Sequence, residues 1–306
     1  MITFVYAVLV FLVLRFSVTL FNFLSNPKLG YYGKHFTDKV SIIIDGSRKD
    51  AENLLDTIAK QDYENVEILF KQEVEAASGI LEVTGKYILF TNVNATIGRG
   101  LINNLIYRVK VFHLDLLSLI PNRKISGLWA WACFPLNDFL LLSLFPLRFV
   151  KSNQLALSIV NDACVFYSAE SYRRINMPLG VDDEQQKLKI EVLLANQFVY
   201  VNEMVNPRKI AEQLIRTLGN SVPVVLIYLA LVIAGPLVIS FSYEPAILFL
   251  PVGLIFLTRV MIAFLTAQNP LLDAVLHPLQ MLMMVVLLIK GIWNKLFTFL
   301  STFVLL

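Results

Sequence analysis

Long apolar runs stand at both ends of the chain, and most of the charged residues lie between them. Residues 2–24 carry a single charge, Arg15. A helix of this length extends about 34 Å, enough to cross the hydrocarbon core of a bilayer. Three more apolar runs follow, at residues 221–243, 246–267 and 272–293. The pattern predicts one N-terminal and about three C-terminal transmembrane helices.

The first run is interpreted as a retained membrane anchor, residues 1–24. A cleaved signal peptide would have a basic start, a shorter apolar core and small residues at the cleavage site. The corresponding C-terminal membrane segment spans residues 221–306. Between the two segments, residues 25–220 have the length of a single domain.

In the first half of this middle domain, short runs of β-branched residues alternate with segments whose apolar residues recur at helical spacing. Such alternation predicts an α/β domain with a mostly parallel sheet, in which ligands sit at the carboxyl ends of the strands. The predicted strands are residues 40–44, 66–70, 87–90 and 114–120, and the predicted helices are residues 51–60 and 100–112.

The amino-acid composition excludes several classes of protein. Hydrophobic residues make up 57% and charged residues 16% of the chain, whereas a soluble domain carries about 25% charged residues. The shortfall excludes an ordinary soluble enzyme and a disordered chain. A net charge of +3 without a basic stripe indicates no nucleic-acid partner. Cys133 and Cys164 lack metal-binding or disulfide spacing, which fits a reducing compartment.

Basic residues flank the predicted helices on the side of the middle domain. Lys28, Lys34 and Lys39 follow the first helix, and Arg208, Lys209 and Arg216 precede the second. By the positive-inside rule the middle domain is cytoplasmic, in a multi-pass protein that we expect in a bacterial inner membrane. Arg259 and Arg15 lie inside predicted spans. An intramembrane arginine is a functional candidate, but snorkelling to the headgroups is the favoured interpretation.

Residues 125–150 leave two alternatives open. The segment is rich in aromatic residues, including Trp129 and Trp131, and has a single acidic residue, Asp138. It could belong to the core of the middle domain. The favoured alternative is the membrane interface, where tryptophan and basic residues concentrate.

Three motifs, taken with the order of elements, resemble a known family. They are VSIIIDGSRK at residues 40–49, QDYENVE at 61–67 and GKYILFTNVN at 85–94. Together with the N-terminal anchor and the C-terminal helices, they are similar to membrane-bound family 2 glycosyltransferases. The resemblance implies a GT-A-like, Rossmann-like fold, here truncated between the second strand and residue 92. It also implies a nucleotide-sugar and a membrane lipid as partners.

The family's carboxylate positions carry other residues in this chain. In active members, an acidic pair holds the nucleoside, a DxD motif holds a divalent metal, and a Glu-Asp pair supplies the base. By resemblance, the nucleotide-binding positions fall on Asp45, Gln72, Glu73, Asn92 and Asn94. The base position falls on Gln185 and Gln186.

These replacements weaken the chemistry that the resemblance implies. Mg²⁺ and Mn²⁺ prefer anionic oxygen ligands, and asparagine offers a neutral carbonyl. Glutamine cannot act as a general base. Asp182, Asp183 and Glu184 lie directly before the glutamine pair, and a shift of register would restore an acidic pair. The favoured interpretation of that acidic cluster is a solvated helix start. Asn92 and Asn94 equally suit a strand-end turn.

Three functions follow. One is a lipid-binding or transport-associated membrane protein that reuses the fold. The other two keep the glycosyltransferase character. The first is a catalytically impaired glycosyltransferase homologue that acts as a scaffold or as the partner of another membrane protein, with no metal or cofactor. The second is an active inverting glycosyltransferase that moves a sugar from a nucleotide-sugar to a lipid-like acceptor. It would use Asp182, Asp183 or Glu184 as the base, and Mg²⁺ or Mn²⁺ as the metal.

Overall fold

The computed structural model describes residues 2–72, 83–150, 159–161, 163–176, 188–242 and 245–304. Contacts divide the chain into two units. A helical unit comprises Met1–Asn26, Ile125–Pro146 and Met204–Leu306, and a sheet unit comprises Pro27–Lys124 and Leu147–Glu203. The helical unit thus includes residues 125–146 and 204–220, which the sequence had assigned to the middle domain.

Nine strands occur in the described part of the sheet unit. They are β1 (Val40–Asp45), β2 (Val66–Phe70), β3 (Tyr87–Asn92), β4 (Ala95–Ile97), β5 (Leu116–Ile120), β6 (Asn122–Arg123), β7 (Cys164–Ser168), β8 (Ile190–Leu194) and β9 (Val199–Val201). The four predicted strands correspond to β1, β2, β3 and β5.

Helices occur in both units. In chain order they are α1 (Ile2–Ser25), α2 (Glu52–Ala59), α3 (Leu101–Phe112), α4 (Leu128–Cys133), α5 (Pro135–Leu144), α6 (Ala169–Asn176), α7 (Pro207–Thr217), α8 (Val222–Leu229), α9 (Gly235–Ser242), α10 (Pro245–Leu265), α11 (Pro270–Val275) and α12 (His277–Val304). A 3₁₀ turn covers Leu147–Phe149, and a π-helical segment, Ala230–Ala234, joins α8 to α9.

The main sheet has the order β2-β1-β3-β7-β5-β8. β1 pairs in parallel with β2 and β3, and β5 pairs in parallel with β8, while β7 runs antiparallel to both of its neighbours. This mixed, mostly parallel α/β sheet fits a GT-A-like fold. A second sheet has the order β4-β9-β6.

The hydrophobic core of the sheet unit lies between the main sheet and its helices. Ile42 and Ile44 of β1 are buried together with Leu54 of α2 and Leu105 of α3. β-branched residues suit a central strand that is covered on both faces. The predicted helix at residues 100–112 corresponds to α3, in which Leu101, Leu105, Ile106 and Val109 are buried.

Hydrogen bonds and ion pairs hold the segment that precedes β1. Asn104 Oδ1 accepts from Tyr32 N–H at 2.8 Å, and Asp38 lies 2.8 Å from Lys86 Nζ and 2.6 Å from Lys110 Nζ. Burial alone would raise the pKa of Asp38, but the hydrogen bonds from Lys110 and Lys86 outweigh it and lower the pKa. The carboxylate therefore stays ionised and links this segment to β3 and α3.

In the described part of the helical unit, two helical runs are long and apolar enough to cross a membrane. They are Ile2–Ser25 and Val222–Ile239. The second run includes the π-helical segment, which lies immediately before Gly235 and Pro236. The predicted apolar runs at residues 246–267 and 272–293 coincide with helices, but three C-terminal spans are not established.

Residues 125–146 form α4 and α5. Phe139, Leu140 and Leu142 of α5 are buried, whereas Trp129 of α4 is 54% exposed. Asn22 Nδ2 of α1 donates to the Leu142 carbonyl at 2.9 Å. Helix α5 is therefore a packed element of the helical unit, not of the sheet unit. The membrane-interface position of this segment stays a prediction.

Arg15 and Arg259 point into the helical unit, contrary to the snorkelling interpretation. Arg15 is 3% and Arg259 is 0% exposed. Arg15 Nη2 donates to Ser143 Oγ at 2.7 Å, and Arg259 Nε donates to His277 Nδ1 at 2.9 Å. Both guanidinium groups lie over the ring of Phe139, at 4.3 and 3.6 Å. Partners inside the unit thus replace the headgroups that snorkelling would require.

The ion pair between Arg259 and Asp273 gives a stability prediction. Both side chains are 0% exposed, with Nη1 and Oδ1 3.6 Å apart. Removing one partner of a buried pair costs about 3–5 kcal/mol, because the other charge stays buried without compensation. Asp273→Asn should therefore lower the thermal unfolding midpoint of the detergent-purified protein strongly.

Glu212→Gln is the matched control, because Glu212 forms an exposed pair with Arg208 at 3.2 Å. Exposed pairs contribute about 0–1 kcal/mol. Equal midpoints for Asp273→Asn and Glu212→Gln would contradict the buried role of Asp273.

Candidate functional site

The ends of β1 and β3 bring three of the predicted site residues together. In the parallel register, Asp45 at the end of β1 lies opposite Asn92 at the end of β3. Val93 N–H donates to the Asp45 carbonyl at 3.2 Å, and Asn94 follows directly. This edge is where ligands bind in open α/β sheets. The Asp45 and Asn94 side chains are exposed there.

Asn92 forms a local turn at the end of β3. Its side-chain Oδ1 accepts from the backbone N–H of Asn94 at 3.0 Å. This is the strand-end turn that the asparagine residues suit. The amide oxygen of Asn92 is thus engaged within its own chain segment.

Gly46 makes the close approach between the two strand ends possible. Its φ is +134°, and an added Cβ would lie 2.4 Å from Cγ1 of Val93. A side chain at this position would meet Val93 in addition to backbone strain. The lack of a side chain at Gly46 therefore allows the turn after β3 to lie close to the end of β1.

The other predicted site residues are placed less completely. Gln72 is exposed, two residues beyond the end of β2. Glu73 lies outside the described residues, as do Asp182, Asp183, Glu184, Gln185 and Gln186. The roles of these residues stay predictions.

A surface depression of about 340 Å³ adjoins the strand ends. Its lining is polar, with amide, hydroxyl, carboxylate and ammonium groups. The lining residues are Asp50, Asn53, Asp56, Thr57, Val93, Asn94, Ala95, Thr96, Lys124 and Asn202. Asn94 is the predicted site residue among them.

The small sheet aligns three of the lining residues in one row. Ala95 pairs with Val201, and Asn202 N–H donates to the Asn94 carbonyl at 3.1 Å. Arg123 pairs with Val201, and Lys124 N–H donates to the Val201 carbonyl at 3.2 Å. Asn94, Asn202 and Lys124 therefore occupy neighbouring positions on adjacent strands.

Sequence reasoning missed Lys124 and Asn202. Both residues reach the site through pairing between β4, β6 and β9, strands of two or three residues that are distant in sequence. Neither strand β6 nor β9 has enough residues to show an alternating pattern. A single sequence thus carries no signal that would have found these two residues.

The carboxylates of the depression already have partners. Asp50 Oδ2 accepts from Ser47 Oγ–H at 2.6 Å, and Asp56 forms an ion pair with Lys60 at 2.5 Å. In the part of the chain that the structure describes, no three His, Cys, Asp or Glu side chains are grouped so as to hold a metal ion. The described donor set at this edge does not fit Mg²⁺ or Mn²⁺, which prefer anionic oxygens.

Cys164 is not suited to nucleophilic chemistry. It lies opposite Thr91 in the ladder between β7 and β3 and is 1% exposed. Burial raises the pKa of its thiol to about 12. The thiol therefore stays protonated at neutral pH, whereas the thiolate is the nucleophilic form.

A second depression, of about 460 Å³, is separate from the first. It is lined by Tyr31, His35, Asp62, Arg99, Gly100 and Gln197. None of the predicted site residues lines it. It contributes nothing to the site at the ends of β1 and β3.

No protein-family model and no curated protein matches the chain. Among solved structures, it is similar to the mannosyltransferase PcManGT from Pyrobaculum calidifontis in complex with GDP-Man and Mn²⁺, at 14% identity over 95% of this chain and 99% of that chain, with a TM-score of 0.48. It is also similar to S. aureus TarS 1-349 in complex with UDP-GlcNAc, at 12% identity over 84% of this chain and 92% of that chain, with a TM-score of 0.34. At these identities and scores, a function has to come from the chain's own residues.

The contact between Gly46 and Val93 gives a prediction. Gly46→Ala should destabilise the protein, because the new methyl group overlaps the Val93 side chain and the backbone has a positive φ. Gly127→Ala is the control, since Gly127 also has a positive φ, +83°, but an added Cβ there meets nothing within 4 Å.

Thermal unfolding of the two variants measures the difference. Gly46→Ala should give the lower midpoint, and Val93→Ala in the same chain should recover part of the loss. Equal midpoints for the two glycine variants would show that the turn does not depend on this contact.

Proposed function

We propose that this chain is a membrane-embedded, family 2 glycosyltransferase-like protein that does not transfer sugar and acts as a scaffold or partner. The sequence resemblance and the mixed α/β sheet support the first part. The engaged amide of Asn92 supports the second part, because it stands where a metal-binding carboxylate is needed.

The loss of charge is what impairs catalysis in this proposal. A divalent metal stabilises the developing charge on a leaving diphosphate, and the metal needs anionic ligands near the diphosphate. Asn92 and Asn94 are neutral, and Asp45 is the remaining carboxylate at the described strand ends. By resemblance, Gln185 and Gln186 stand at the base position, where glutamine cannot take a proton.

The proposal includes a position in the membrane. The apolar helices form several spans, the sheet unit is cytoplasmic, and the membrane is a bacterial inner membrane. The basic residues around α1 and α7, such as Lys34 and Arg208, support this orientation. The partners are membrane lipid and a second membrane protein.

An active inverting glycosyltransferase is the alternative function. The run Asp182, Asp183 and Glu184 directly before the glutamine pair favours it. In this alternative one of these residues is the base, and Mg²⁺ or Mn²⁺ assists the departure of the diphosphate. A nucleotide-sugar is then the donor and a lipid-like molecule the acceptor.

Turnover of nucleotide-sugars distinguishes the two functions. The full chain in nanodiscs should release no nucleotide from GDP-mannose or UDP-GlcNAc in the presence of MnCl₂ and membrane lipid. The double variant Asn92→Asp, Asn94→Asp should also stay inactive, because the shortened segment after β2 and the glutamine pair remain. Release of nucleotide above that of a heat-inactivated sample would overturn the proposal.

A separate variant tests the alternative directly. If the chain is active, Asp183→Asn should abolish turnover by about 10²-fold or more, because the base is lost. An unchanged rate in Asp183→Asn would exclude this residue as the base. Lys189→Gln, a nearby exposed substitution that keeps every acidic residue, is the control.

A further inference from the structure

We infer that the helical unit binds a small monovalent anion, such as chloride, between Arg15, Arg259 and Tyr228. The anion compensates a buried positive charge that has no anionic partner among the described residues. This site goes beyond the proposed function and does not depend on it, because all three residues belong to the helical unit and the strand ends belong to the sheet unit.

Arg15 is a buried cation whose hydrogen bonds go to a neutral group. It lies in the apolar helix α1 and is 3% exposed. Its Nε and Nη2 both donate to Ser143 Oγ, at 3.1 and 2.7 Å, and it forms no ion pair with any residue that the structure describes. Ser143 itself donates to the Phe139 carbonyl at 2.5 Å and therefore remains a hydroxyl. A guanidinium group keeps its charge in proteins, and a charge buried without an opposite charge is strongly unfavourable.

Further donors without an acceptor are buried beside Arg15. Tyr228 of α8 is 4% exposed, and the centre of its ring lies 5.5 Å from the guanidinium carbon of Arg15. Among the described residues, its hydroxyl group and the Nη1 and Nη2 atoms of Arg259 have no hydrogen-bond partner. Buried polar groups are normally hydrogen-bonded, so these unused donors indicate a ligand.

The ring of Phe139 brings the two arginine residues together. The guanidinium carbon of Arg15 lies 4.3 Å from the ring centre, and that of Arg259 lies 3.6 Å from it. The two guanidinium groups therefore cannot be farther apart than the sum of these distances. Two like charges this close in an apolar surrounding repel each other unless an anion lies near both.

The carboxylate of Asp273 compensates Arg259 only. Its Oδ1 lies 3.6 Å from Arg259 Nη1 and accepts a hydrogen bond from Gln280 Nε2 at 2.9 Å. Arg259 Nε donates to His277 Nδ1 at 2.9 Å, and an imidazole that accepts a hydrogen bond there is neutral at that nitrogen. Asp273 therefore accounts for one of the two guanidinium charges.

Asp138 is oriented away from Arg15. On helix α5, Phe139 and Ser143 are four residues apart and share the face that contacts Arg15. Asp138 is turned from Phe139 by about 100° around the helix axis, and its Oδ2 accepts from Gln268 Nε2 at 3.3 Å. The charge of Arg15 is thus left for an ion from outside the chain.

The enclosure of the site limits the size and the charge of the ion. Arg15, Arg259 and Tyr228 are at most 4% exposed, which suits an ion of one or a few atoms and not a lipid headgroup. One guanidinium group without a carboxylate calls for a single negative charge. Because its ligands come from α1, α8 and α10, the bound anion holds these three helices together.

Thermal unfolding of the full chain in detergent tests this site. Sodium chloride is exchanged for sodium gluconate at constant ionic strength, so that charge screening stays the same. Gluconate is too large for the enclosed site. The unfolding midpoint should rise by several degrees as chloride replaces gluconate, because a ligand that binds only the folded state stabilises it. Bromide should act like chloride.

Arg15→Met removes the uncompensated charge and keeps a long apolar side chain, so its midpoint should not respond to chloride. Arg99→Met is the matched control. Arg99 is an exposed arginine of the sheet unit, and its loss should leave the chloride response unchanged. Tyr228→Phe keeps the ring and removes one donor. It should raise the apparent dissociation constant for chloride about tenfold, since a hydrogen bond to a charged group is lost, and it decides the question if Arg15→Met does not fold.

Three results would overturn the inference: equal midpoints of the parent chain in chloride and gluconate, equal chloride responses of Arg15→Met and Arg99→Met, or an unchanged dissociation constant in Tyr228→Phe. A midpoint that ignores chloride and rises with added anionic phospholipid would also overturn it, and would indicate a headgroup in place of a small ion. None of these measurements depends on sugar transfer, so failure here is distinct from failure of the proposed function.

Discussion

The parallel pairing of β1 with β3 is the constraint on which the site depends. It runs in register from Val40 opposite Tyr87 to Asp45 opposite Asn92, so both strands end at the same edge. Gly46 then permits a contact with Val93 that a larger residue would obstruct. With the strands ending together, the residues just beyond them are forced into one place. Among the described residues, these strand ends bring together one carboxylate, that of Asp45, and the amides of Asn92 and Asn94.

The charges of these side chains decide which ligands the edge can hold. A divalent cation between protein and diphosphate needs anionic ligands, and the strand-end turn supplies an amide oxygen that is already hydrogen-bonded to Asn94. The small sheet brings Lys124 into the adjoining depression. In the helical unit the opposite situation holds, because Arg259 is fully buried and relies on Asp273, His277 and the Phe139 ring. There the charged groups lie buried between packed helices.

The spacing of hydrophobic residues predicted the strands and the helix whose formation depends on residues close together in the sequence. β1, β2, β3, β5 and helix α3 follow from β-branched runs and apolar spacing. The sequence could not predict that β7 lies antiparallel between β3 and β5, or that β4, β9 and β6 form a sheet. Both features depend on contacts between distant segments of the chain. For the same reason Asp45, Asn92 and Asn94 were expected at the site, while Lys124 and Asn202 were not. The burial of Arg259 was also not predicted. The snorkelling interpretation considered only the helix that carries Arg259, whereas the partners of Arg259 lie on other helices.

Whether the full chain binds Mn²⁺ in the presence of a nucleotide tests this account most directly. Electron paramagnetic resonance of Mn²⁺ distinguishes free from protein-bound ion, so MnCl₂ is titrated into the purified full chain with saturating UDP or GDP. The account predicts that the Mn²⁺ signal is the same as in a sample with nucleotide and no protein. Stoichiometric loss of the free Mn²⁺ signal that requires both protein and nucleotide would contradict it. That result would show that carboxylates restore a metal site.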